Sequence, residues 1–358
     1  MSQPLRTLLV RSSAALLLTV SLANAQGAST TPNSPLSNTT NSQSDSRALE
    51  GIVSGIKNPE DMVYLKGTKW VLVSTYHEPG PLSYVNIDSP SQGAALMWTS
   101  KAEAGRISAK KLSPHGLAAR RRSDGRFDVL LVDHGGKEEA VDKLVVDVSG
   151  DTPSVVNGQR IRMPNGTSGN AVAFMPDDGF VVTSMFDPTD STTPQKITDG
   201  EPTGGVWRWK SSGEWSHIGP QMSGANGIVV SQDGKHLIVN EWSSRRIVRV
   251  SIEGKTEASH AVDFLPDNLR ETEDGKILIG GQRTDAGCLF SPKADQQCSR
   301  GYIVGVVDPH SLKVDKLIDK DDKQAAEDGF TSATGALAIG NDLWVGSFGG
   351  DKIARFKN

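Results

Sequence analysis

The fold of this chain is decided by a stretch that reads LSPHGLAARRRSDGRFDVLLVDHG over residues 112–135. An Asp124-Gly125 pair lies between two strand-like runs, and glycine adopts a positive φ there at no steric cost, so the stretch predicts a β-hairpin. Antiparallel pairing brings the start of the first strand beside the end of the second, which places His115 next to His134. Two adjacent imidazoles are a candidate acid–base pair, although a single histidine at a strand end is more often an ordinary loop residue.

Five further segments follow the plan of this hairpin, in which a small or polar residue opens an apolar strand, a turn follows, and a second apolar strand ends in polar residues. The six opening positions are 60, 115, 170, 226, 267 and 335, which lie 55, 55, 56, 41 and 68 residues apart. Other strand-like runs fall between them, giving about four strands per unit, as in the blade of a propeller. We therefore predict an all-β fold, a six-bladed β-propeller. Two β-sandwiches are the alternative, but they do not require equally spaced, similar hairpins.

A propeller would bring the opening positions together, because the innermost strand of every blade lines the central channel. Oxygen-bearing side chains are unusual at so many strand starts, since Asn and Asp are disfavoured in strands. Carboxylate and amide oxygens suit Ca²⁺ better than Zn²⁺ or Mg²⁺, because Ca²⁺ accepts irregular, all-oxygen coordination. The pattern thus predicts a central metal site. The residues at or directly beside these positions are Glu60, His115, Asn170, Asn226, Asp267 with Asn268, and Thr334, which precedes Gly335.

Several of these segments resemble the metal-binding strands that paraoxonases share with SMP-30/gluconolactonase-like proteins. The segments are Pro59–Asp61, Gly169–Val172, Ala225–Lys235 and Pro266–Leu269, and the resemblance extends blade by blade over most of residues 55–356. It implies one catalytic calcium, held by Glu60, Asn170, Asn226, Asp267 and Asn268. The segments around His115 and His134 resemble those that carry the catalytic histidine pair of paraoxonases, a pair that SMP-30-like lactonases lack.

The chain also departs from the paraoxonase pattern. Those proteins hold a second, deeper calcium, and the resemblance implies that Asp61 and the carbonyl oxygen of Leu117 would hold it here. However, Ala171 stands where the family has an acid for that site. Met185 stands roughly where the family has an acidic residue near the active site, so we expect an altered substrate pocket.

The two cysteines, Cys288 and Cys298, differ from the disulfide that ties the chain ends of paraoxonases. In an exported protein a short-range disulfide between them is the default expectation. We expect closure of the propeller to rest instead on the pairing of Ile52-Val53 with the C-terminal strands.

The first residues predict export. Residues 1–25 contain a basic start, a short apolar run over Ala14–Leu22, and a small-x-small cleavage site that ends at Ala25. The apolar run is short for a membrane span, so a stable anchor after cleavage is not expected. Residues 26–48 are rich in Ser, Thr and Asn and predict a disordered linker, and residues 49–358 form the propeller. We expect a secreted or periplasmic protein.

Charge argues against a nucleic-acid partner. Removing residues 1–25 removes two of the 38 basic side chains and none of the 42 acidic ones, so the mature chain carries a net charge of −6. Nucleic-acid binding depends on positive surface. A small molecule is the expected partner, and the sequence does not indicate an oligomeric state.

These features lead to one main functional hypothesis, a calcium-dependent hydrolase of lactones or aryl esters. The metal would stabilise the oxyanion, His115 would deprotonate the attacking water, and His134 would orient His115. We expect His115 at the rim to be exposed, with a pKa near its reference value of about 6.5. The alternative is a non-catalytic, metal-braced propeller that acts as a binding module. A strictosidine-synthase-like enzyme and a quinone-dependent sugar dehydrogenase are less favoured by the ligand set and by the lack of a cofactor-stacking motif.

Overall fold

A computed structural model of the chain describes residues 47–77, 79–99, 107–293 and 296–357. The predicted signal segment and nearly all of the predicted linker lie outside these ranges. Within them, no helix combines the length and the apolar character that crossing a membrane requires.

The described residues are mainly β-strands, joined by turns and a few short helices. The strands are β1 (Leu49–Ser54), β2 (Met62–Tyr64), β3 (Trp70–Val73), β4 (Ser83–Asn86), β5 (Ala94–Ala95), β6 (Met97–Trp98), β7 (Pro114–Arg121), β8 (Phe127–Asp133), β9 (Ala140–Asp147), β10 (Ser154–Arg162), β11 (Ser168–Phe174), β12 (Phe180–Phe186), β13 (Gly204–Trp209), β14 (Trp215–Met222), β15 (Ala225–Val230), β16 (His236–Glu241), β17 (Arg246–Ser251), β18 (Thr256–Ala261), β19 (Leu265–Glu271), β20 (Ile277–Gln282), β21 (Tyr302–Val307), β22 (Val314–Lys320), β23 (Ala333–Ile339), β24 (Asp342–Ser347) and β25 (Lys352–Lys357). The α-helices are α1 (Thr193–Asp199), α2 (Ala286–Phe290) and α3 (Asp322–Asp328), and Ala109–Lys111 form a 3₁₀ turn.

The strands form six sheets, which are the blades of the propeller. Blade I consists of β2–β5, blade II of β7–β10, blade III of β11–β14, blade IV of β15–β18, blade V of β19–β22, and blade VI of β23–β25 with β1. Each blade is an antiparallel meander, and β6 adds a short parallel edge strand to blade II. The prediction of an all-β, six-bladed β-propeller is confirmed.

The predicted hairpin forms the two inner strands of blade II. Leu117 pairs with Leu131 and Arg121 pairs with Phe127, so the turn falls where the sequence predicts it. Gly125 has a φ of +86°, the left-handed conformation that glycine adopts without strain.

The ring is closed by pairing between the two ends of the described chain. Strand β1 pairs antiparallel with β25, with Ile52 opposite Ala354 and Val53 opposite Ile353. The expectation that Ile52-Val53 would close the ring is therefore confirmed. Strand β1 is thus the outermost strand of blade VI.

The innermost strands of blades II to VI share an irregularity near their first residues. The pairing with the second strand shifts between Pro114 and Leu117, and equivalent shifts occur in the other four blades. Such β-bulges leave residues without a ladder partner and redirect their side chains, and they are common beside active sites. The bulged positions include His115, Asn170, Asn226, Asp267, Asn268 and Thr334, which are the positions that the sequence predicts to converge.

Polar side chains satisfy the backbone groups that these irregular strand starts leave unpaired. The Thr183 hydroxyl accepts a 2.9 Å hydrogen bond from the N–H of Ala171. The Asn240 amide donates to the carbonyl oxygen of Asp267 at 2.5 Å. Buried backbone groups must be paired, so the polar ends of the second strands support the inner strands.

Glycines allow neighbouring inner strands to approach each other closely. A Cβ atom on Gly116 would lie 2.1 Å from the carbonyl oxygen of Asn170, and one on Gly227 would lie 2.3 Å from that of Asp267. Both distances are far shorter than a van der Waals contact. Apolar side chains then fill the space between blades, as Leu72 and Phe127 do between blades I and II; each large buried side chain contributes about 1.5–3 kcal/mol.

We expect the substitution Gly227→Ala to destabilise the propeller, because the new methyl group would displace the backbone of Asp267. Overpacking of this kind costs roughly 1–3 kcal/mol or more. Thermal unfolding monitored by circular dichroism measures the effect. The control is Gly150→Ala, whose Cβ would meet its nearest atom at an ordinary 3.6 Å. Equal melting temperatures for the two variants would contradict the close approach.

Candidate functional site

Two histidines and a glutamate form a hydrogen-bonded chain at the head of blade II. His115 lies in the bulge of β7 and His134 follows β8, so the hairpin brings them together as the sequence predicts. Their Nδ1 and Nε2 atoms, respectively, are 2.9 Å apart. The Nδ1 atom of His134 lies 2.7 Å from Oε1 of Glu139. The same oxygen accepts a 2.6 Å hydrogen bond from the backbone N–H of Gly169 in blade III.

The order of these contacts determines which ring nitrogens carry protons. When Glu139 is ionised and the His134 ring is neutral, Nδ1 of His134 donates to Glu139 and Nε2 of His134 accepts. The Nδ1–H of His115 is the donor to that nitrogen, which leaves Nε2 of His115 unprotonated. This nitrogen lies 3.5 Å from Oε2 of Glu60. An unprotonated nitrogen therefore faces the predicted metal ligands.

The surroundings of His115 differ from the expectation for a rim histidine. Its ring is buried, with only 5% of the residue exposed. Burial and then the neighbouring charge of His134 lower the pKa of His115 to about 3. The expectation of an exposed imidazole with an ordinary pKa was therefore wrong, because the ring packs against Tyr76. The neutral ring is nevertheless the form whose Nε2 can accept a proton.

Four of the five predicted metal ligands lie in the bulges of blades III, IV and V, and Glu60 lies just before β2 of blade I. Asn268 donates from Nδ2 to Oε1 of Glu60 at 2.7 Å, and the side chain of Asn226 hydrogen-bonds to Asp267. Asn170 occupies the equivalent bulge in blade III. These five side chains are only 2–5% exposed.

Three of these five side chains have a buried oxygen without a hydrogen-bond partner among the described residues. The atoms are Oε2 of Glu60, Oδ1 of Asn170 and Oδ1 of Asn226. An unpaired buried polar atom costs about 1–3 kcal/mol, so such atoms call for a ligand. A hard cation that takes oxygen ligands would satisfy all three. The donor set therefore fits Ca²⁺.

The buried carboxylates at the site also require a nearby cation. Burial and the adjacent charge of Asp61 raise the pKa of Glu60 to about 8. Burial and the charge of Glu60 raise the pKa of Asp267 well above its usual range. Both carboxylates would need a nearby positive charge to stay ionised at neutral pH. No three His, Cys, Asp or Glu side chains cluster as ligands within the described ranges, so amide oxygens make up the rest of the set.

Side chains behind the predicted ligands hold them in place. Gln282 donates from Nε2 to Oδ2 of Asp267 at 2.7 Å, and also to the carbonyl oxygen of Ala333 in blade VI. The indole N–H of Trp242 donates to Oε1 of Gln282 at 3.0 Å. Thr334, the polar residue that opens blade VI, donates to the carbonyl oxygen of Glu60. A network of this kind fixes the orientation of ligand groups.

The residues implied for a second calcium do not fit a cation, because a guanidinium already contacts them. Arg270 donates to Oδ1 of Asp61 at 2.7 Å and to the carbonyl oxygen of Leu117 at 3.1 Å. Oδ2 of Asp61 accepts the N–H of Leu117 at 2.7 Å.

Sequence reasoning missed two residues of the site, Glu139 and Tyr76. The ring of Tyr76 lies 4.3 Å from that of His115, centroid to centroid. Burial and then the charges of nearby carboxylates, Glu60 first, raise the pKa of Tyr76, so its hydroxyl remains a donor. The available signals were weak: an aromatic residue just after a strand of blade I, and an acid in the loop that follows His134.

An apolar cluster forms one side of the channel mouth, where β12 and β20 end. Helices α1 and α2 follow these strands and pack against each other. The disulfide between Cys288 and Cys298 closes the loop that carries α2, as predicted. Met185 contacts Nδ2 of Asn170 through its sulfur at 3.9 Å, which places the cluster directly beside the ligands. Its buried members are Met185, Ile197, Trp242, Leu265 and Ala286.

Comparison with known proteins supports the fold. No protein-family model matches the chain, and no curated protein sequence matches it. Among solved structures, a luciferin-regenerating enzyme is similar with a TM-score of 0.54 and 13% identity, over 85% of this chain and 92% of that one. A gluconolactonase from Xanthomonas campestris is similar with a TM-score of 0.53 and 14% identity, over 89% and 93%. A Thermus thermophilus protein assigned as an oxidoreductase (glucose dehydrogenase) has a TM-score of 0.50 and 14% identity, over 87% and 99%. At these identities the likeness shows a shared propeller fold.

The proton positions in the histidine chain can be tested directly. We expect ¹⁵N NMR of the imidazoles to show a protonated Nδ1 and an unprotonated Nε2 in both His115 and His134. Glu139→Leu removes the acceptor, so both rings should shift toward mixtures of tautomers. Glu138→Leu is the control, because the side chain of Glu138 is exposed and pairs only with Arg162 among the described residues. Unchanged nitrogen shifts in Glu139→Leu would contradict the assigned order.

Proposed function

We propose that this protein is an exported, calcium-dependent hydrolase of small lactones or aryl esters. The observation that carries the proposal is one constellation at the channel mouth. A histidine nitrogen with a free lone pair, oriented by the chain from Glu139 through His134, faces buried oxygens that lack partners. The paraoxonase-like sequence segments coincide with this constellation. The structural similarity to a gluconolactonase shows only a shared fold, but it is consistent with lactone hydrolysis at a coarse level.

The roles of the residues follow from the geometry. Calcium held by Glu60, Asn170, Asn226, Asp267 and Asn268 would supply an electrophile for the carbonyl oxygen of the substrate. His115 accepts a proton from the attacking water at Nε2. As positive charge develops on His115, His134 accepts a stronger hydrogen bond from its Nδ1–H, and Glu139 stabilises that charge through His134.

Two features of the mouth would act on the substrate. The hydroxyl of Tyr76 is a protonated donor near the carboxylates and can hydrogen-bond a substrate oxygen. The apolar cluster around Met185 and Trp242 would pack against the organic part of a lactone or ester. We propose a small molecule as the partner.

One observation favours the alternative, a metal-braced propeller that binds without catalysis. The five ligand side chains are almost completely buried, as they are around many structural ions. The alternative predicts a coordination shell without a water-accessible position, whereas catalysis needs an open one. The hydrolase and the non-catalytic binding module would use the same calcium ligands, so activity measurements are needed to distinguish the two hypotheses.

The proposed location follows from the N-terminal sequence. A signal segment cleaved after Ala25 would deliver the chain to the periplasm or the medium, where the Cys288–Cys298 disulfide is expected to persist. N-terminal sequencing of the exported protein should begin at Gln26, and recovery of the full chain from the cytoplasm alone would contradict export.

Removal of calcium provides the first test of the proposed activity. We expect the purified mature protein to contain bound calcium and to hydrolyse phenyl acetate or members of a lactone panel. EDTA should abolish turnover, and added calcium should restore it. Bound calcium without turnover of any compound in the panel would favour the non-catalytic alternative, and the absence of bound calcium would refute the metal site.

The histidine chain provides the second test. We expect His115→Gln to lower kcat by roughly 10²–10⁴, because the water loses its base, while calcium affinity changes much less. His310→Gln is the control, since His310 is exposed in a turn at the far end of blade V. Steady-state kinetics and calcium titration on the same samples separate the two effects. Full activity of His115→Gln on every hydrolysed compound would show that the base is assigned wrongly.

A further inference from the structure

A single arginine links three inner strands of the propeller below the channel mouth. Arg270 belongs to β19 in blade V, and it donates to Oδ1 of Asp61 at 2.7 Å, just before β2 in blade I. Its other terminal nitrogen donates to the carbonyl oxygen of Leu117 in blade II at 3.1 Å. These two acceptors lie 56 residues apart in the chain and more than 150 residues from Arg270. The guanidinium therefore makes a two-pronged contact, which its planar fork allows.

Asp61 depends on this contact, because its carboxylate has almost no access to solvent. Its side chain is 6% exposed, and its oxygens accept from the backbone N–H groups of Met62 and Leu117 as well as from Arg270. A buried carboxylate without a compensating charge is strongly unfavourable. Since guanidinium does not lose its proton in proteins, Arg270 supplies that charge at any physiological pH.

The buried acids of the channel differ in whether a basic side chain compensates their charge. Glu60, Asp61 and Asp267 are all buried at the axis. Arg270 contacts Asp61, whereas no ion pair joins Glu60 or Asp267 to a lysine or arginine in the part of the chain that the structure describes. With Asp61 neutralised, the remaining charge of two carboxylates matches one divalent ion.

We infer that Arg270 is a permanent built-in cation that takes the place of a second divalent ion between Asp61 and the carbonyl oxygen of Leu117. The channel then holds at most one divalent ion, and the packing of blades I, II and V does not need metal. On one side Arg270 packs close to Glu60 and Asn268, and on the other it borders a cavity of about 1380 Å³. It thus forms a charged floor under the proposed calcium site.

This inference goes beyond the proposed activity, because it concerns the number of bound ions and the stability of the fold. It can be tested without a substrate. If the protein hydrolyses no lactone or ester, the stability of the Arg270 variants can still be measured. The test of Arg270 is therefore independent of the test of the hydrolase activity.

The test compares variants of the full mature chain by thermal unfolding, both in EDTA and in saturating calcium. We expect Arg270→Ala to lower Tm by roughly 5–10 °C under both conditions, since Asp61 is left buried and uncompensated. Arg208→Ala is a matched control, because the side chain of Arg208 is equally exposed, at 21%, but pairs with the half-exposed Asp177. Its Tm should change by less than about 2 °C. Similar losses in the two variants would overturn the inference.

Two further variants keep the test decisive if Arg270→Ala does not fold. Asp61→Asn with Arg270→Gln removes both charges and should be more stable than Arg270→Gln alone, because no carboxylate remains uncompensated. Arg270→Lys keeps the charge but not the fork, and its Tm should lie between those of the wild type and Arg270→Gln. A double variant no more stable than Arg270→Gln would contradict the role of Arg270 as the counter-charge of Asp61.

Calcium stoichiometry completes the experiment, measured by elemental analysis after equilibrium dialysis. We expect no more than one calcium per wild-type chain and the same number in Asp61→Asn. Two ions in the wild type, falling to one in Asp61→Asn, would show that a divalent ion does bind Asp61 and would overturn the inference.

Discussion

The constraint on which the site depends is the bulged start of the innermost strands. A bulge turns side chains toward the axis, but it also leaves buried peptide groups without ladder partners. Polar side chains from the second strands meet this cost, as Thr183 does for Ala171 and Asn240 for the carbonyl oxygen of Asp267. The same local distortion, repeated around the ring, produces both the convergence of polar groups and the need for the second strands to end in polar residues.

Buried negative charge is the second consequence of this convergence. The inner-strand starts of two blades, I and V, bring Glu60, Asp61 and Asp267 into a space with almost no solvent. The chain compensates one of these acids with Arg270 and leaves the others beside amide oxygens that lack partners. The channel therefore contains an internal cation, Arg270, and a separate set of unpaired oxygens that we propose to be the calcium site. The histidine chain lies at the edge of that set, where its free nitrogen faces the oxygens and not the solvent.

Much of this arrangement was predictable from the sequence, because it depends on short-range patterns. The spacing of similar hairpins predicted the six blades, and the Asp-Gly turn predicted that His115 and His134 would meet. The identity of the residues that open each blade indicated an all-oxygen ligand set. Other features were not predictable. The burial of His115 depends on Tyr76 from blade I, and the partner of His134 is Glu139, whose orientation depends on a backbone N–H in blade III.

Local periodicity, turn residues and proximity in the chain were enough to predict the fold class, the inner hairpins with their turns, the closing strand and the disulfide, but not the bulges that shift the register of five inner hairpins. The pairing of charges, in contrast, follows from the three-dimensional arrangement of the blades. Arg270 lies three residues after Asp267 in the sequence, yet it serves Asp61 and Leu117, since the curvature of the ring brings blade V across the channel from blades I and II. Burial, pKa shifts and ion pairs depend on such distances through space, which no pattern along one strand contains.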